Sequence, residues 1–275
     1  MATVYFIAMH LWIEEAGAGP SVLCISGLGY SNWCWRETVA ALSPTYRVLT
    51  FDNRGTGRSD APEDGYSIEQ FADDAASVLR DKAQAPADVI GHSMGGYIAL
   101  TLAARHPLLV RSLVLVGTGA GGDGWLPLPD ATQAAWKAAV EKPPAEFARE
   151  TMPLSFATGW SEAHPKRFEQ LLTERLAHPT PTPIWKKQFR AAGAFGRDGI
   201  DASRIDRPAL VIHGSDDRVI RVENGRRLAA QLPHGRLVEL PGAGHLCFLE
   251  DPGTFQDLLV EWLPRSEMFT RTSRV

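Results

Sequence analysis

Gly91-His92-Ser93-Met94-Gly95 is the stretch of this sequence that decides the fold. Asp88–Gly91 is typical of a short strand, and Met94–Arg105 of a helix that ends near Pro107. A serine on such a sharp strand-to-helix turn needs glycine on either side, because larger side chains would collide there. The turn lifts the hydroxyl above the sheet edge, and the partial positive charge of the helix N-terminus favours an oxyanion beside it. We therefore predict that Ser93 is a nucleophile.

Strand and helix patterns alternate on both sides of this stretch. Apolar or β-branched runs predict further strands at Thr3–Ile7, Leu11–Glu15, Ser21–Ile25, Arg47–Phe51, Ser112–Val116, Ala209–His213 and Arg236–Leu240. Apolar residues at helical spacing predict helices at Trp35–Leu42, after the N-cap Ser67 with its capping partner Gln70, at Glu223–Gln231 and at Pro252–Trp262. This alternation predicts an α/β fold with a parallel sheet that is covered on both faces.

The alternation stops between about Gly117 and Arg204. Nine of the 19 prolines and four of the eight tryptophans fall in this stretch. Such a density of proline excludes a long strand and favours short helices between bends. We therefore predict that residues 119–203 form a helical cap, or lid, inserted into an α/β core of residues 1–118 and 204–264. Residues 265–275 are predicted to be a frayed C-terminal tail.

Gly117-Thr118-Gly119-Ala120-Gly121-Gly122 formally matches a dinucleotide-binding motif and follows a predicted strand. That motif requires a helix directly after it, whereas Asp123-Gly-Trp-Leu-Pro127-Leu-Pro129 cannot form one. We interpret these glycines as a flexible hinge that leads into the cap. The sequence has no phosphate-loop motif and no Cys or His cluster with metal-ligand spacing, so we predict no cofactor and no metal.

The composition excludes several kinds of partner. The 275 residues include 28 Lys and Arg against 32 Asp and Glu, and a net charge of -4 indicates no basic surface for nucleic acid. No apolar run reaches the ~18 residues of a membrane-spanning helix, and the first residues do not resemble a secretory signal. Cys24, Cys34 and Cys247 are predicted to be free thiols in a reducing compartment. We expect a cytoplasmic monomer or homodimer that acts on a small molecule.

A nucleophilic serine needs a base, and the base needs a group that orients it. His245 lies in the loop Pro241-Gly-Ala-Gly-His245 after the last predicted strand, where an imidazole can reach the serine. Gly214-Ser215-Asp216-Asp217 is another loop at the carboxyl end of a strand, and either aspartate can supply the acid. Among the other histidines, His92 and His213 are predicted to be structural, and the rest to lie at the surface or at helix ends.

Two backbone N–H groups are predicted to bind the oxyanion. One belongs to Met94, and the other to Leu28 in the loop Gly27-Leu28-Gly29. Aromatic residues of the cap are predicted to join Leu28 in an apolar pocket for the acyl or alcohol part of a substrate: Trp125, Phe156, Trp160 and Trp185. Packing within the cap is an equally good interpretation of each of these aromatic residues.

The chain resembles the α/β-hydrolase superfamily over roughly residues 1–264. The resemblance rests on the six residues 91–96, on Gly214-Ser-Asp-Asp217, on Gly242-Ala-Gly-His245 and on Asp52-Asn-Arg-Gly-Thr-Gly-Arg-Ser59, which is similar to the family's D-x-R-G-x-G-x-S loop. It implies a mostly parallel, eight-stranded sheet flanked by helices, with a helical cap inserted after strand six. The family pattern also places the acid three residues after the glycine, which implies Asp217. Ser26-Gly27 stands where the family usually has His-Gly.

The chain looks nearest to esterases, 3-oxoadipate enol-lactonases and cofactor-free haloperoxidase-like hydrolases. This resemblance implies a triad of Ser93, His245 and Asp217 that cleaves carboxylic esters or lactones of small or medium apolar substrates through an acyl-enzyme. Two alternatives use the same side chains, namely hydrolysis of carbon–carbon bonds and cofactor-free perhydrolysis. A third alternative is a hydrolase-like receptor that binds a ligand with little turnover. Arg54 is predicted to brace neighbouring loops rather than to bind substrate.

Overall fold

One seven-stranded sheet runs through the residues that the computed structural model describes, 9–83 and 85–272. The strands are β1 (Ile13–Ala16), β2 (Ser21–Ile25), β3 (Arg47–Phe51), β4 (Ala87–His92), β5 (Val110–Val116), β6 (Ala209–Gly214) and β7 (Gly235–Leu240). Their order is β1-β3-β2-β4-β5-β6-β7, with β1 antiparallel to β3 and the other neighbours parallel. The predicted α/β class and parallel sheet are confirmed.

The strand count differs from the eight that the resemblance implies. Seven strands lie within the described ranges, and the predicted strand Thr3–Ile7 lies outside them. The strand predicted at Leu11–Glu15 is found slightly later, as β1. The insertion between the two halves of the sheet therefore follows the fifth described strand rather than a sixth.

Helices flank this sheet and form the insertion. Within the described residues they are α1 (Arg36–Leu42), α2 (Ile68–Lys82), α3 (Met94–Arg105), α4 (Asp130–Ala139), α5 (Pro144–Thr151), α6 (Trp160–Ala163), α7 (Pro165–Ala177), α8 (Thr182–Asp198), α9 (Val222–Gln231), α10 (Cys247–Glu250) and α11 (Pro252–Thr272). The predicted cap of α2 is confirmed, since Ser67 Oγ accepts a hydrogen bond from Gln70 N–H at 3.2 Å. None of the described helices is long and apolar enough to cross a membrane.

The C-terminal helix is longer than predicted. The apolar spacing ends at Trp262, but α11 continues to Thr272. Residues 265–272 of the predicted C-terminal tail are thus helical, residues 273–275 lie outside the described range, and the tail as a separate segment stays a prediction. Helical hydrogen bonds extend this element beyond the last residue that the apolar pattern marks.

The sheet has a hydrophobic cluster on each face, because successive strand residues point in opposite directions. In β2, Leu23 and Ile25 pack in the cluster that contains α2, α3 and α9. Val22 and Cys24 pack on the other face, with α1 and α11. Burial on both faces explains why the strands are continuous apolar runs in the sequence. Because β2 to β7 are parallel, their carboxyl ends lie along one edge of the sheet.

Five helices, α4–α8, lie between β5 and β6 in residues 119–203, the segment that we call the cap. Proline occupies the first turn of α5, α7 and α8, where its missing N–H breaks no helical hydrogen bond. The short helices inferred from the proline density are therefore present. The limits of the cap at residues 119 and 203 stay a prediction.

The glycines that lead into the cap are closely packed. Gly117 has φ +54°, and its N–H donates to Ile212 O at 2.9 Å. A side chain on Gly121 would place Cβ 2.2 Å from Phe195 O. Positive φ and close backbone contacts account for glycine at these positions. The structure thus gives them a packing role in place of the hinge inferred from the sequence.

Candidate active site

Ser93 occupies a strained turn between β4 and α3. Its φ of 55° makes it the one non-glycine residue with positive φ in the described part of the chain. A Cβ on Gly91 would lie 2.3 Å from Gly95 O, and one on Gly95 would lie 2.1 Å from Ile25 O. The predicted reason for the flanking glycines, steric collision, is therefore present in the structure. The turn is fixed by Ser93 N–H, which donates to Val116 O at 2.9 Å.

Ser93 and His245 line the same narrow cavity, whose volume is about 40 Å³. This cavity lies at the carboxyl edge of the sheet, under the cap. Its other walls come from both the core and the cap: Leu28, Tyr30, His92, Trp136, Phe147, Thr151, Ser155, Arg175, Trp185 and Val219. The structure thus brings together two residues that are 152 positions apart in the sequence (245 − 93).

Asp217 is the carboxylate that meets His245. Its Oδ2 lies 2.8 Å from His245 Nδ1, and both side chains are almost completely buried. Its Oδ1 accepts hydrogen bonds from the N–H groups of Val219 and Ile220, both at 2.8 Å. Because an ionised carboxylate only accepts, the hydrogen in this contact lies on His245 Nδ1.

The neighbouring aspartate has a different contact. Asp216 Oδ2 accepts a hydrogen bond from Thr158 N–H in the cap at 2.6 Å. It is partly exposed, whereas Asp217 is buried. The geometry therefore pairs His245 with Asp217, the aspartate that the family pattern implies. Asp216 instead joins the core loop to the cap.

Electrostatics stabilise the ionised form of Asp217. Burial alone would raise the pKa of this carboxyl, but the interactions with His245 and His213 outweigh burial and hold its pKa well below the usual range. His213 Nε2 lies 3.2 Å from Asp217 Oδ2 and 2.8 Å from Ile220 O. Burial opposes protonation of His213, yet the carboxylate raises its pKa above the ordinary value. Asp217 thus has a second imidazole partner.

His213 and His92 both support the loops of the candidate site. His92 Nε2 lies 3.1 Å from the backbone oxygen of His245, and the two imidazole rings are 4.6 Å apart. Burial, and then the charge of His245, keep the pKa of His92 well below 6.5. The sequence assigned structural roles to both histidines but gave no sign that they touch Asp217 and His245. For His213, its position four residues before Asp217 is the only local signal.

The N–H groups of Leu28 and Met94, which are predicted to bind an oxyanion, have no hydrogen-bond acceptor among the described residues. Met94 directly follows Ser93 in the turn, and Leu28 lines the cavity. The loop that contains Leu28 is fixed by hydrogen bonds of the following residue, Gly29. Gly29 N–H donates to Gln188 Oε1 at 3.0 Å, and Gly29 O accepts from Thr180 Oγ1 at 3.2 Å. Gln188 lies on α8 and is fully buried. Residues of the cap therefore fix the position of this core loop.

Ser26 stabilises the start of the same loop. Its hydroxyl accepts from Trp35 Nε1 at 3.1 Å and donates to Ser31 O at 3.2 Å. Asn53 Nδ2 donates to the Ser26 carbonyl at 3.0 Å. The serine that stands in the place of the usual family histidine is thus hydrogen-bonded within the core.

Arg54 braces loops, as the sequence predicts. Its Nε and Nη2 each donate to the Asp74 carboxylate at 2.6 Å, and Nη1 donates to Gly65 O at 2.8 Å. The ion pair is buried and does not line the cavity of Ser93. A bidentate pair of this kind fixes the loop of residues 52–59 against α2.

The predicted substrate-binding residues separate into two groups. Leu28 and Trp185 line the cavity of Ser93. Trp125 packs beside Tyr97 with ring centroids 6.1 Å apart, and Phe156 is fully buried in a stack with Trp160, with centroids 4.4 Å apart. None of these three residues lines the cavity, since Trp125 packs against the core and Phe156 and Trp160 stack on each other within the cap. Sequence reasoning missed Trp136 and Phe147, which have no local motif.

A serine on a tight turn after a central strand, above a buried Asp–His pair, is the arrangement of an α/β hydrolase. The family comparison agrees, since residues 20–252 match the family model described as alpha/beta hydrolase fold. This chain therefore belongs to the α/β-hydrolase family.

Several relatives cover nearly the whole chain. A protein of Serratia proteamaculans (strain 568), provisionally named carbamate hydrolase RutD, is 29% identical over 260 residues, which are 92% of this chain and 94% of the relative. The crystal structure of the enol-lactonase from Burkholderia xenovorans LB400 has 28% identity and a TM-score of 0.81, and covers 93% of this chain and 97% of that one. A thermophilic esterase from Thermogutta terrifontis has 25% identity and a TM-score of 0.79, with 94% of each chain covered. The chain is similar to hydrolases of several substrate classes.

Proposed function

We propose that this protein hydrolyses carboxylic esters or lactones through an acyl-enzyme on Ser93. The observation that carries the proposal is one cavity that contains both Ser93, on its strained turn, and His245, whose Nδ1 is 2.8 Å from Asp217. A serine needs such an oriented base to become a nucleophile at neutral pH. The similarity to an enol-lactonase and to an esterase supports the substrate class.

The first half of the reaction forms the acyl-enzyme. His245 Nε2 takes the proton of Ser93 Oγ as this oxygen attacks the substrate carbonyl carbon. The carbonyl electron pair moves to oxygen, where the N–H groups of Leu28 and Met94 stabilise the negative charge. Asp217 stabilises the imidazolium that forms. The tetrahedral intermediate then collapses, and the leaving alcohol oxygen takes the proton from His245.

The second half returns the enzyme to its starting state. Water gives a proton to His245 Nε2 and attacks the acyl carbon, and the new oxyanion occupies the same pair of N–H groups. Collapse breaks the bond to Ser93 Oγ, which takes back the proton. Apolar walls formed by Leu28, Trp136 and Trp185 suit an acyl or alcohol part of small or medium size.

The test is covalent labelling together with turnover. We expect a fluorophosphonate probe to label the protein and p-nitrophenyl acetate to give burst kinetics. Replacing Ser93→Ala should abolish labelling and lower kcat by roughly 10⁶-fold, since an absent nucleophile leaves only binding and the oxyanion site. Ser203→Ala, at an exposed position away from the cavity, is the matched control and should behave as the unmodified protein.

Two results would contradict the proposal. Labelling and turnover that survive Ser93→Ala would show that another group is the nucleophile. Neither labelling nor turnover by the unmodified protein, across short and long p-nitrophenyl esters and lactones, would favour a receptor that binds without catalysis.

A further inference from the structure

Arg175 stands out among the cavity walls, because it is the one Lys or Arg side chain that lines the cavity of Ser93 and His245 in the described ranges. It comes from α7 in the cap and is half-buried. The surrounding walls are largely apolar and include Phe147 and Trp185. A charged group beside such walls has lost part of its hydration, and an anion can compensate for that loss.

The guanidinium is held in place by an uncharged partner. Arg175 Nη1 donates to Tyr30 Oη at 3.2 Å, and the guanidinium carbon lies 4.7 Å from the centroid of the Tyr30 ring. No carboxylate of the described residues forms an ion pair with it. Since an arginine has five N–H donors, most of its donor capacity and its whole charge remain available.

Two other arginines of the cap differ in this respect, because each forms an ion pair with a carboxylate. Arg149 pairs with Glu169 at 2.9 Å, and Arg167 pairs with Glu37 at 2.7 Å. Neither ion pair lines the cavity of Ser93 and His245. The arginine that faces the candidate active site is therefore fixed by Tyr30 without being neutralised, which is the condition of a binding group for an anion.

We propose that Arg175 binds a free carboxylate on the substrate, so that the natural ester or lactone is an anion. The assignment rests on the proposed function, because it supposes that the reacting carbonyl lies at Ser93 in the same cavity. A carboxylate can take two parallel hydrogen bonds from a guanidinium, and this geometry also orients the molecule. Arg175 would then select among esters, while Ser93 and His245 perform the chemistry on any of them.

The kinetic test compares two esters of matched shape. Mono-p-nitrophenyl glutarate has a terminal carboxylate, and p-nitrophenyl 5-methylhexanoate has an isopropyl group in its place. We expect the unmodified protein to prefer the glutarate ester in kcat/KM. Arg175→Met should lower kcat/KM for the glutarate ester by roughly 10- to 100-fold and leave the neutral ester nearly unchanged, because charge-assisted hydrogen bonds are lost only with the anion. Arg175→Lys should retain part of the preference.

Arg149→Met is the matched control, since it removes the same charge from the cap outside the cavity and should change neither ester. An equal loss for both esters in Arg175→Met would assign Arg175 a structural role in holding Tyr30 and would overturn the inference. The absence of any preference in the unmodified protein would overturn it as well.

A binding measurement separates this inference from the proposed function. Monomethyl glutarate is titrated calorimetrically into Ser93→Ala and into the double variant Ser93→Ala/Arg175→Met. We expect binding to the first, and an affinity at least about tenfold lower for the second. Arg175-dependent binding without ester turnover in the unmodified protein would refute the serine mechanism alone. Turnover of both esters, with binding that does not depend on Arg175, would refute the carboxylate site alone.

Discussion

The two sides of the cavity are built by different physical means. The floor consists of Ser93 and His245, which line the cavity, together with the buried Asp217 that contacts His245; all three lie on loops at the carboxyl edge of the sheet. Its polar atoms are fixed by short hydrogen bonds such as the 2.8 Å contacts of Asp217. The roof consists of Trp136, Phe147, Arg175 and Trp185 of the cap, whose aromatic rings meet at centroid distances of 5.0 and 5.7 Å.

This difference assigns separate tasks to the floor and the roof. Hydrogen bonds to a carboxylate hold one geometry, and a proton transfer requires one geometry. Aromatic and apolar contacts tolerate repacking, so a roof made of them can change its substrate without changing the chemistry below. We therefore expect substitutions in the floor to abolish turnover and substitutions in the roof to alter selectivity.

The two sides are nevertheless joined at three loops. Gln188 of the cap binds Gly29 beside Leu28, and Asp216 binds Thr158 of the cap. Glu250 accepts a hydrogen bond from Ala157 N–H at 2.7 Å, and also from Gly244 N–H beside His245. These contacts fix the cap relative to the floor, although they belong to neither set of cavity walls.

After the loss of Ser93 itself, the largest expected effect comes from replacing the aspartate of the floor. Asp217→Asn should lower kcat for p-nitrophenyl acetate by roughly 10³- to 10⁴-fold, because an amide no longer holds His245 with its proton on Nδ1. Asp216→Asn, which keeps an oxygen that can accept from Thr158, should change kcat by no more than about twofold. A larger loss for Asp216 than for Asp217 would show that the acid has been assigned to the wrong residue.

The next prediction concerns packing and compares Gly95, in the core beside Ser93, with Gly193 in the cap. Gly95→Ala would place Cβ 2.1 Å from Ile25 O, so we expect the free energy of unfolding to fall by about 1–3 kcal/mol. Gly193 lies within α8 of the cap, and a Cβ there would meet Arg197 at 3.8 Å. Gly193→Ala should therefore stabilise the protein by about 0.5–1 kcal/mol through helix propensity. Urea denaturation measures both changes, and a Gly95→Ala variant as stable as the unmodified protein would contradict the close packing of α3 on β2.

The floor could be predicted from sequence to a greater extent than the roof. The turn of Ser93 can be recognised from its neighbours in the chain, because side chains at Gly91 and Gly95 would collide with nearby backbone atoms. The loops of Asp217 and His245 follow predicted strands, and parallel strands bring their carboxyl ends to one edge. The choice between Asp216 and Asp217 depended on the family pattern, because side-chain direction in a turn is set by contacts distant in sequence.

The roof carries no comparable local signal. Gln188 and Gly29 are 159 positions apart, and Arg175 and Tyr30 are 145 positions apart. Their contacts depend on how the cap helices dock on the core. Aromatic composition could not separate Trp185, on the cavity, from Phe156, buried in a stack elsewhere in the cap. A pattern of residue types identifies an apolar segment, but not the surface against which it packs.

His92, which lies beside His245, tests whether a buried imidazole at this position can carry a charge. Its Nε2 faces the oxygen of His245, so this nitrogen carries the proton, and the buried Nδ1 has no partner within the described residues. Protonation of Nδ1 would place a second hydrogen where nothing accepts it, next to the ring of His245. This geometry agrees with the direction of the shift, since the pKa of His92 lies well below 6.5.

A lowered pKa in the folded state makes stability depend on pH in a definite direction. The unfolded chain binds a proton at His92 near pH 6.5, whereas the folded protein does not, so this contribution is complete above pH 6.5 and is lost as the pH falls below it. We expect His92→Phe to remove a slope of at most about 1.4 kcal/mol per pH unit from the free energy of unfolding between pH 6.5 and 5. His213 acts with the opposite sign, because its raised pKa gives stability that is lost only as the pH rises above 6.5. Urea denaturation across this range measures the slope, and an unchanged slope in His92→Phe would show that the folded protein admits a charged imidazole at position 92.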